Sequence, residues 1–386
     1  MKRITDDVRH RDVARRLDDL RKYKRPTKDH PGTKLNRIDY KPLNDYVRQE
    51  IKSNLRHSLV KNRKKGIVIH LPDKMDFEGN KQETLQHLNM LSRLVKFIGK
   101  NGGRPLPKGA YNLGSVNFDC LKQLSTPAAL VLTAELSNWE DTIKNKLSPK
   151  IKQWNTEIYS QLHDLGFFDL FENKYSKPPA CKSNCSDTRL VRYIKGYCGD
   201  EGKIRELREG IKELVGDKID KWTFLASGLD EAITNVFHHA YPEEWERRSK
   251  KEAWYLTGSY NETTKELKVI FYDQGISIPK TLPTSKWSEN IYSLAAATTK
   301  TGEEYHDAKL LKAAVEYGRT RTEELDRGKG LGDLLVFIKK RQSGKLSILS
   351  GKGQYSFTVK EGVEKTETFR SEYPMEGTLI VWRVTL

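Results

Sequence analysis

Two kinds of hydrophobic spacing alternate along this chain, and they restrict the folds that it can adopt. Apolar runs typical of strands and stretches with helical spacing occur at 67–71, 85–98, 110–121, 128–136 and 151–166. The run 67–71 is predicted to be a strand, and 85–98 and 151–166 are predicted to be helices. One or both of 110–121 and 128–136 are predicted to be strands. Strands that alternate with helices predict an α/β domain over residues 66–172.

A second domain is predicted after a break in this pattern. Residues 173–187 contain Pro178-Pro179 and several polar residues, and they are predicted to be a linker. Beyond it, the patterns predict helices over 203–215, 221–240 and 308–317, with another starting near 332. Strands are predicted at 190–197, 254–260, 267–272, 345–350, 355–359 and 378–384.

Charge is concentrated at the N-terminus. The 386 residues carry a net charge of +17, and residues 1–65 alone contain 21 Lys/Arg against 9 Asp/Glu, a net charge of +12. Apolar residues repeat every four positions from Leu43 to Leu59, so one face of this basic helical arm is expected to be buried. Such charge is typical of an arm that binds nucleic acid, and a well-solvated helical surface is the alternative.

Several classes of protein are not expected. No apolar run approaches the ~18 residues of a membrane span, so no membrane partner is predicted. Four cysteines in so long a chain do not indicate a disulfide scaffold, and a reducing cytoplasm is the expected compartment. Cys181, Cys185 and Cys198 lack a fourth ligand for a structural zinc site, so ordinary thiols are expected.

Three separated polar segments carry candidate chemistry. Glu231, Asn235 and His239 follow one another at i,i+4 on a predicted helix, so they are expected to share a face. The carboxylate can polarise a water, and an amide oxygen one turn away can bind Mg²⁺. A solvated helix face is the common alternative for such a pattern.

The other two segments contain glycine at predicted turns. In the first, Asp273-Gln274-Gly275 follows an apolar strand, where the carboxylate can accept a hydrogen bond from an amino group. In the second, Gly328-Lys329-Gly330-Leu331-Gly332 precedes a helix, whose first N–H groups form an anion site. Taken singly, each is also consistent with an ordinary turn.

Together and in this order, the three segments resemble the GHKL ATP-binding superfamily, which includes gyrase, mismatch-repair ATPases and histidine kinases. The string from Glu231 to Tyr241 is most similar to the N-box of anti-sigma-factor serine kinases. Near the end of the chain, Gly377-Thr378 resembles the Gly-Thr pair that closes the nucleotide pocket. The resemblance covers roughly 190–386 and implies a GHKL (Bergerat-type) α/β sandwich with a mixed sheet.

The resemblance also implies roles for residues, with ATP and Mg²⁺ as ligands. Glu231 is the implied general base, and Asn235 is the implied Mg²⁺ ligand. Asp273 is implied to contact the amino group of adenine, and Thr378 is implied to support adenine through its hydroxyl. The implied nucleotide contacts further include His239, Gly275, Gly328, Lys329, Gly330, Leu331 and Gly332. Residues 280–327 are the implied lid over ATP, whose Lys300, Arg319, Arg321 and Arg327 face either the γ-phosphate or solvent.

The sequence departs from the family pattern at one position, and its N-terminal half bears a fainter resemblance to a second family. Ser277 stands where the family has a second glycine. The N-terminal half is faintly similar to STAS domains, with Ser115 and Ser125 as candidate phosphorylation positions. The predicted organisation is therefore a basic arm (1–65), a regulatory or STAS-like domain (66–172), a linker (173–187) and an ATP-binding domain (188–386).

The predicted function is Mg²⁺-dependent ATP hydrolysis or an ATP-driven regulatory switch. The first alternative is an anti-sigma-type protein serine/threonine kinase. The second is a non-catalytic module that binds nucleic acid or another polyanion through the basic arm. A protein partner is expected on the N-terminal domain, and a homodimer is one candidate assembly.

Overall fold

A computed structural model gives the structure of the chain over most of its length. The described residues are 39–61, 65–100, 109–137, 139, 144, 151–172, 187–197, 200, 202–216, 219–242, 252–282, 291, 293, 295, 306–322 and 331–386. The chain divides into two units, 1–40 and 41–386. Only residues 39 and 40 of the first unit are described, so the part of the predicted basic arm before residue 39 lies outside the described residues.

The first part of the second unit is a small α/β arrangement. Its elements are α1 (Lys41–Lys52), β1 (His57–Lys61), β2 (Lys65–His70), β3 (Lys74–Met75), α2 (Lys81–Lys100), β4 (Tyr111–Asn117), β5 (Gln123–Leu124), α3 (Thr126–Ser137) and α4 (Thr156–Leu165). Strands β1, β2 and β4 form a mixed sheet, in which β1 is antiparallel and β4 parallel to β2. The short strands β3 and β5 pair in parallel.

The second part is built around a six-stranded sheet. Its elements are β6 (Thr188–Leu190), β7 (Ile194–Tyr197), α5 (Lys203–Val215), α6 (Trp222–Asn235), β8 (Ala253–Asn261), β9 (Glu266–Asp273), α7 (Ile278–Thr281), α8 (Asp307–Thr322), α9 (Asp333–Arg341), β10 (Gly344–Lys360) and β11 (Val363–Thr385). The strand order is β10-β11-β9-β8-β6, with β7 also paired to β8. Every described pairing in this sheet is antiparallel, so the expected mixed sheet occurs only among β1, β2 and β4.

Helices cover both faces of the six-stranded sheet. On one face, α5, α6 and α9 bury their apolar stripes against alternate residues of the strands, including Trp254, Phe271 and Trp382. On the other face, α2 contacts β11 and α3 contacts β8 and β9. The α/β segment before residue 172 therefore packs against the central sheet of the second part through its helices α2 and α3.

Of the two candidate strands, 110–121 and 128–136, the second is helix α3. Nearly all of its residues are buried, so the segment shows no polar face and its apolar run reads equally well as strand or helix. The other candidate, 110–121, does contain a strand, β4. No helix in the described ranges is long and apolar enough to cross a membrane.

The repeat from Leu43 to Leu59 is helical only in its first part. Helix α1 ends at Lys52, and it buries Leu43 and Val47. Leu55 is buried beyond the helix end, whereas Leu59 lies in strand β1 with 56% of its surface exposed. The predicted buried face is therefore confirmed for the helix and wrong at Leu59.

The remaining predicted elements have counterparts in the structure, several with different bounds; the helix predicted over 151–166 begins only at Thr156, and the strand predicted at 378–384 is the end of β11. The helix over 203–215 is confirmed, as are the strands at 254–260 and 267–272, which pair as β8 and β9. The predicted strand 190–197 is two short strands, because residues 191–193 stand opposite only two residues of β8, 257–258, and this extra residue interrupts the regular pairing. The predicted strands 345–350 and 355–359 are one strand, β10, which shifts register at Ser350–Gly353. The predicted helix 221–240 is α6 followed by a π-helical turn, Val236–Ala240.

Candidate functional site

The carboxylate of Asp273 lies at the end of strand β9, between β8 and β11. The backbone of Asp273 pairs with Trp254 of β8 on one side and with Thr378 of β11 on the other. Its Oδ1 accepts a hydrogen bond from the backbone N–H of Gly275 at 2.9 Å. Burial raises the pKa of Asp273 to about 7, although hydrogen bonds from Gly275 and from the backbone and hydroxyl of Thr378 oppose the rise.

Thr378 belongs to a group of buried polar atoms at the same end of the sheet. Its hydroxyl lies 3.0 Å from the hydroxyl of Ser350, which also donates to the carbonyl of Gly377 at 3.2 Å. The Ser350 oxygen accepts the backbone N–H of Ile278 at 2.8 Å. The residues just before the lid segment are thereby bonded to the strands that hold Asp273.

Gly377 is required by close backbone packing beside Asp273. Its φ of 83° lies in the left-handed region, and a Cβ atom there would lie 1.9 Å from the carbonyl oxygen of Asp273. The Gly-Thr pair that the sequence singled out therefore lies next to Asp273 in space, about 105 residues away along the chain.

Glu231 and Asn235 share one face of helix α6, as the sequence predicted. The amide nitrogen of Asn235 donates to Oε1 of Glu231 at 2.9 Å. Glu231 is buried and Asn235 is half-buried. Because its nitrogen is used, the amide oxygen is the atom of Asn235 that can bind a metal ion.

His239 follows in a π-helical turn. The turn comprises Val236–Ala240, so the α-helical phase that would align His239 with Asn235 is not maintained. The side chain of His239 is exposed. Partial loss of hydration, and to a lesser degree the neighbouring His238, lower the pKa of His239.

The end of this turn meets the loop after Asp273. The backbone N–H of Ile276 donates to the carbonyl of Ala240 at 2.8 Å. A Cβ atom on Gly275 would lie 2.4 Å from the Cβ of Ala240, so only glycine allows the two segments to come this close. The structure thus brings two of the three predicted segments into direct contact.

The third segment is described only at its end. Gly328, Lys329 and Gly330 lie outside the described residues, whereas Leu331 and Gly332 precede helix α9. A Cβ atom on Gly228 of α6 would lie 3.7 Å from the carbonyl of Asp333. Gly228 is three residues before Glu231 on the same helix face, so α9 begins close to the Glu231–Asn235 pair.

The lid segment is described over 280–282 and 306–322 and at three single positions between them, and Ser277 lies just before it. Ser277 is buried, and its hydroxyl has no hydrogen-bond partner among the described residues. At the start of helix α8, Asp307 accepts the backbone N–H of Lys352 at 2.6 Å. The side chains of Lys300, Arg319, Arg321 and Arg327 lie outside the described residues.

Other sequence candidates are only partly placed. Ser125 directly precedes helix α3, and its hydroxyl accepts the backbone N–H of Ala128 at 3.4 Å, while Ser115 lies in β4. Cys181, Cys185 and Cys198 lie outside the described residues. No group of three or more metal-binding side chains occurs within the described ranges.

Two residues of the site were not predicted from the sequence. Ser350 lies in a predicted strand, and nothing in its neighbourhood marks it. Glu135 of helix α3 accepts the side-chain N–H of Gln274 at 3.0 Å. Glu135 did carry a signal, since it is the one charged residue in the run Ala128–Leu136.

Comparison with known proteins adds no family assignment. Neither a protein-family model nor a curated protein sequence matches the chain.

Proposed function

We propose that the chain binds Mg·ATP between Asp273 and the Glu231–Asn235 pair, and that it hydrolyses ATP or uses it as a regulatory switch. The observation that carries this proposal is the buried carboxylate of Asp273, whose pKa is raised to about 7. A strongly perturbed, buried carboxylate is typical of a functional site. An exocyclic amino group such as that of adenine is a donor that stabilises its ionised form.

The neighbouring groups fit the rest of the nucleotide. The amide oxygen of Asn235 is a ligand of the type that Mg²⁺ prefers, and Glu231 holds the amide in one orientation. The backbone N–H groups at the start of α9, after Gly332, suit a phosphate because they have no partner within the helix. When bound, Mg²⁺ neutralises charge on the β- and γ-phosphates.

Glu231 is the proposed base. It orients a water, whose oxygen attacks the γ-phosphorus while the bond from that phosphorus to the β–γ bridging oxygen breaks. The proton of the water passes to the Glu231 carboxylate, and ADP and inorganic phosphate are the products. If a protein hydroxyl takes the place of the water, the same base serves a kinase reaction.

Nucleotide binding tests the proposal directly. Calorimetric titration with ATP, with and without Mg²⁺, is expected to show Mg²⁺-dependent binding by the wild type. Asn235→Ala should lose the Mg²⁺ dependence, and Glu231→Ala should bind ATP without turnover. Thr234→Ala is the matched control, because its exposed side chain lies next to Asn235 on another helix face. Absence of Mg²⁺-dependent binding by the wild type would overturn the proposal.

The products distinguish the remaining alternatives. Free phosphate supports an ATPase or switch, and labelled phosphate on protein supports a kinase. Binding of nucleic acid that weakens with salt and ignores ATP, in a protein without nucleotide affinity, would favour the polyanion-binding module.

A further inference from the structure

Glu135 is a buried charge in an apolar helix. Helix α3 contains no other charged residue, and only 6% of the Glu135 surface is exposed. Burying a carboxylate costs free energy unless hydrogen bonds compensate for lost water. An apolar residue would fill this position at lower cost, so the hydrogen bonds that Glu135 makes are the feature to explain.

Those hydrogen bonds join Glu135 to both neighbours of Asp273. The side-chain amide of Gln274 donates to Oε1 of Glu135 at 3.0 Å. The hydroxyl of Tyr272 lies 3.3 Å from the same oxygen, and its proton is shared with the carbonyl of Glu376 at 2.9 Å. Both side chains are buried, at 1% and 3% exposure for Tyr272 and Gln274.

These contacts are made by the two residues that flank Asp273, so they can affect the orientation of its carboxylate. Successive side chains of a strand point to opposite faces, so Asp273 and its two neighbours alternate between the faces of the sheet. Glu135 holds the residues on either side of Asp273 from the α3 face. Movement of α3 therefore changes the backbone that directs the Asp273 carboxylate.

Gln274 extends this connection to the segment after Asn235. Its backbone N–H donates to the hydroxyl of Tyr241 at 3.2 Å, and that hydroxyl donates to the carbonyl of Ala253 at 2.7 Å. Tyr241 directly follows the π-helical turn that contacts Gly275. One residue thus bonds to α3 through its side chain and to the end of the α6 segment through its backbone.

We propose that Glu135 is a positioning residue through which the segment before residue 172 sets the nucleotide affinity of the site, an inference that rests on the proposed ATP-binding function. Energetic coupling between sites runs through packed side chains and hydrogen bonds, and it is reciprocal. A partner that displaces α3 therefore weakens ATP binding, and bound ATP in turn stabilises α3.

The test compares three variants of the full chain. Glu135→Ala removes both acceptor contacts and is expected to weaken Mg·ATP binding about tenfold, a typical coupling between sites. Glu135→Gln keeps an acceptor oxygen and should restore affinity to within about twofold of the wild type. Ser137→Ala is the matched control, since the Ser137 hydroxyl lies 2.6 Å from that of Tyr255 and joins the same helix to neighbouring strand β8. It should leave ATP affinity unchanged.

Amide hydrogen exchange supplies a readout that needs no nucleotide. The N–H groups of Gly275 and Thr378 bond to the Asp273 carboxylate, so Glu135→Ala should accelerate their exchange while Ser137→Ala does not. If Glu135→Ala fails to fold, Gln274→Ala removes the 3.0 Å bond from the other side and carries the same expectation.

The outcomes separate this inference from the proposed function. A wild type that binds Mg·ATP, with Glu135→Ala and Ser137→Ala alike in affinity and exchange, overturns the positioning role and leaves the function standing. A wild type without ATP affinity overturns the function, and the exchange comparison then decides by itself whether Glu135 holds the Asp273 segment in place.

Discussion

Thr378 and Asp273 face each other across strands β11 and β9, and both the backbone and the hydroxyl of Thr378 are hydrogen-bonded to the Asp273 carboxylate. Behind Thr378, the Ser350 hydroxyl lies 3.0 Å away. This end of strands β9 and β11 therefore contains a buried polar cluster within an apolar core. In such a medium each hydrogen bond is strengthened, and an unpaired polar group is costly.

Replacing Asp273 by Asn should stabilise the folded protein above pH 7. The folded-state pKa of Asp273, about 7, lies above its unfolded value near 3.8. The folded protein therefore binds more protons between those values, and the contribution of Asp273 to stability falls as pH rises through this window. Asn cannot ionise, so at pH 8 the gain should be on the order of 4 kcal/mol.

Chemical denaturation at pH 5 and pH 8 measures this effect. Asp273→Asn should gain stability mainly at the higher pH and should lose affinity for ATP. Asp73→Asn is the control, because hydrogen bonding to Arg56 lowers the pKa of that exposed carboxylate. It should produce no gain at pH 8. Equal stability of Asp273→Asn and wild type at pH 8 would contradict the raised pKa.

The affinity for ATP should fall as the solution is acidified below pH 7. An ionised carboxylate accepts a hydrogen bond from an amino group more strongly than a protonated carboxyl group does, so binding weakens by up to about tenfold per pH unit below the folded-state pKa. A phosphate contact by His239, as the family resemblance implies, would act in the opposite direction, because a protonated imidazole attracts phosphate. Titrations of wild type and His239→Ala between pH 5.5 and 8 separate the two effects, and a flat profile in both would refute the role of Asp273.

Gly377→Ala should disrupt the packing at the same end of strands β9 and β11. The new Cβ would lie 1.9 Å from the carbonyl oxygen of Asp273, and backbone must move to relieve that overlap. We expect a loss of more than about 2 kcal/mol of unfolding free energy. Gly362→Ala is the matched control, since its φ of 78° is also left-handed but no atom lies within 4 Å of its Cβ. It should cost about 1 kcal/mol, and equal losses in the two variants would contradict the packing argument.

The local parts of the site were predictable from the sequence. Helical spacing placed Glu231 and Asn235 on one face, and the apolar strand before Asp273 placed that carboxylate at a strand end. Both depend on residues a few positions apart. The pairing of Asp273 with Thr378 was implied only by resemblance, because sheet register depends on contacts far apart in the chain.

Tertiary packing explains what the sequence did not reveal. Helix α3 is enclosed on nearly every side, so its sequence shows no polar face from which a helical period can be read. The register shift at Gly351 and Gly353 lets one strand continue through a bend that reads as a strand end. The π-helical turn after Asn235 shifts His239, and no residue pattern announces it.

Ser277 and Ser350 are two buried serines that should respond oppositely to alanine. The Ser277 hydroxyl has no partner among the described residues, so Ser277→Ala should raise the unfolding free energy by about 1 kcal/mol. Ser350→Ala removes contacts with Ile278, Gly377 and Thr378, and it should lower the unfolding free energy by about 1–2 kcal/mol. Urea denaturation of both variants at an unchanged m-value measures the difference. If both variants lose stability equally, the Ser277 hydroxyl is hydrogen-bonded in the folded protein.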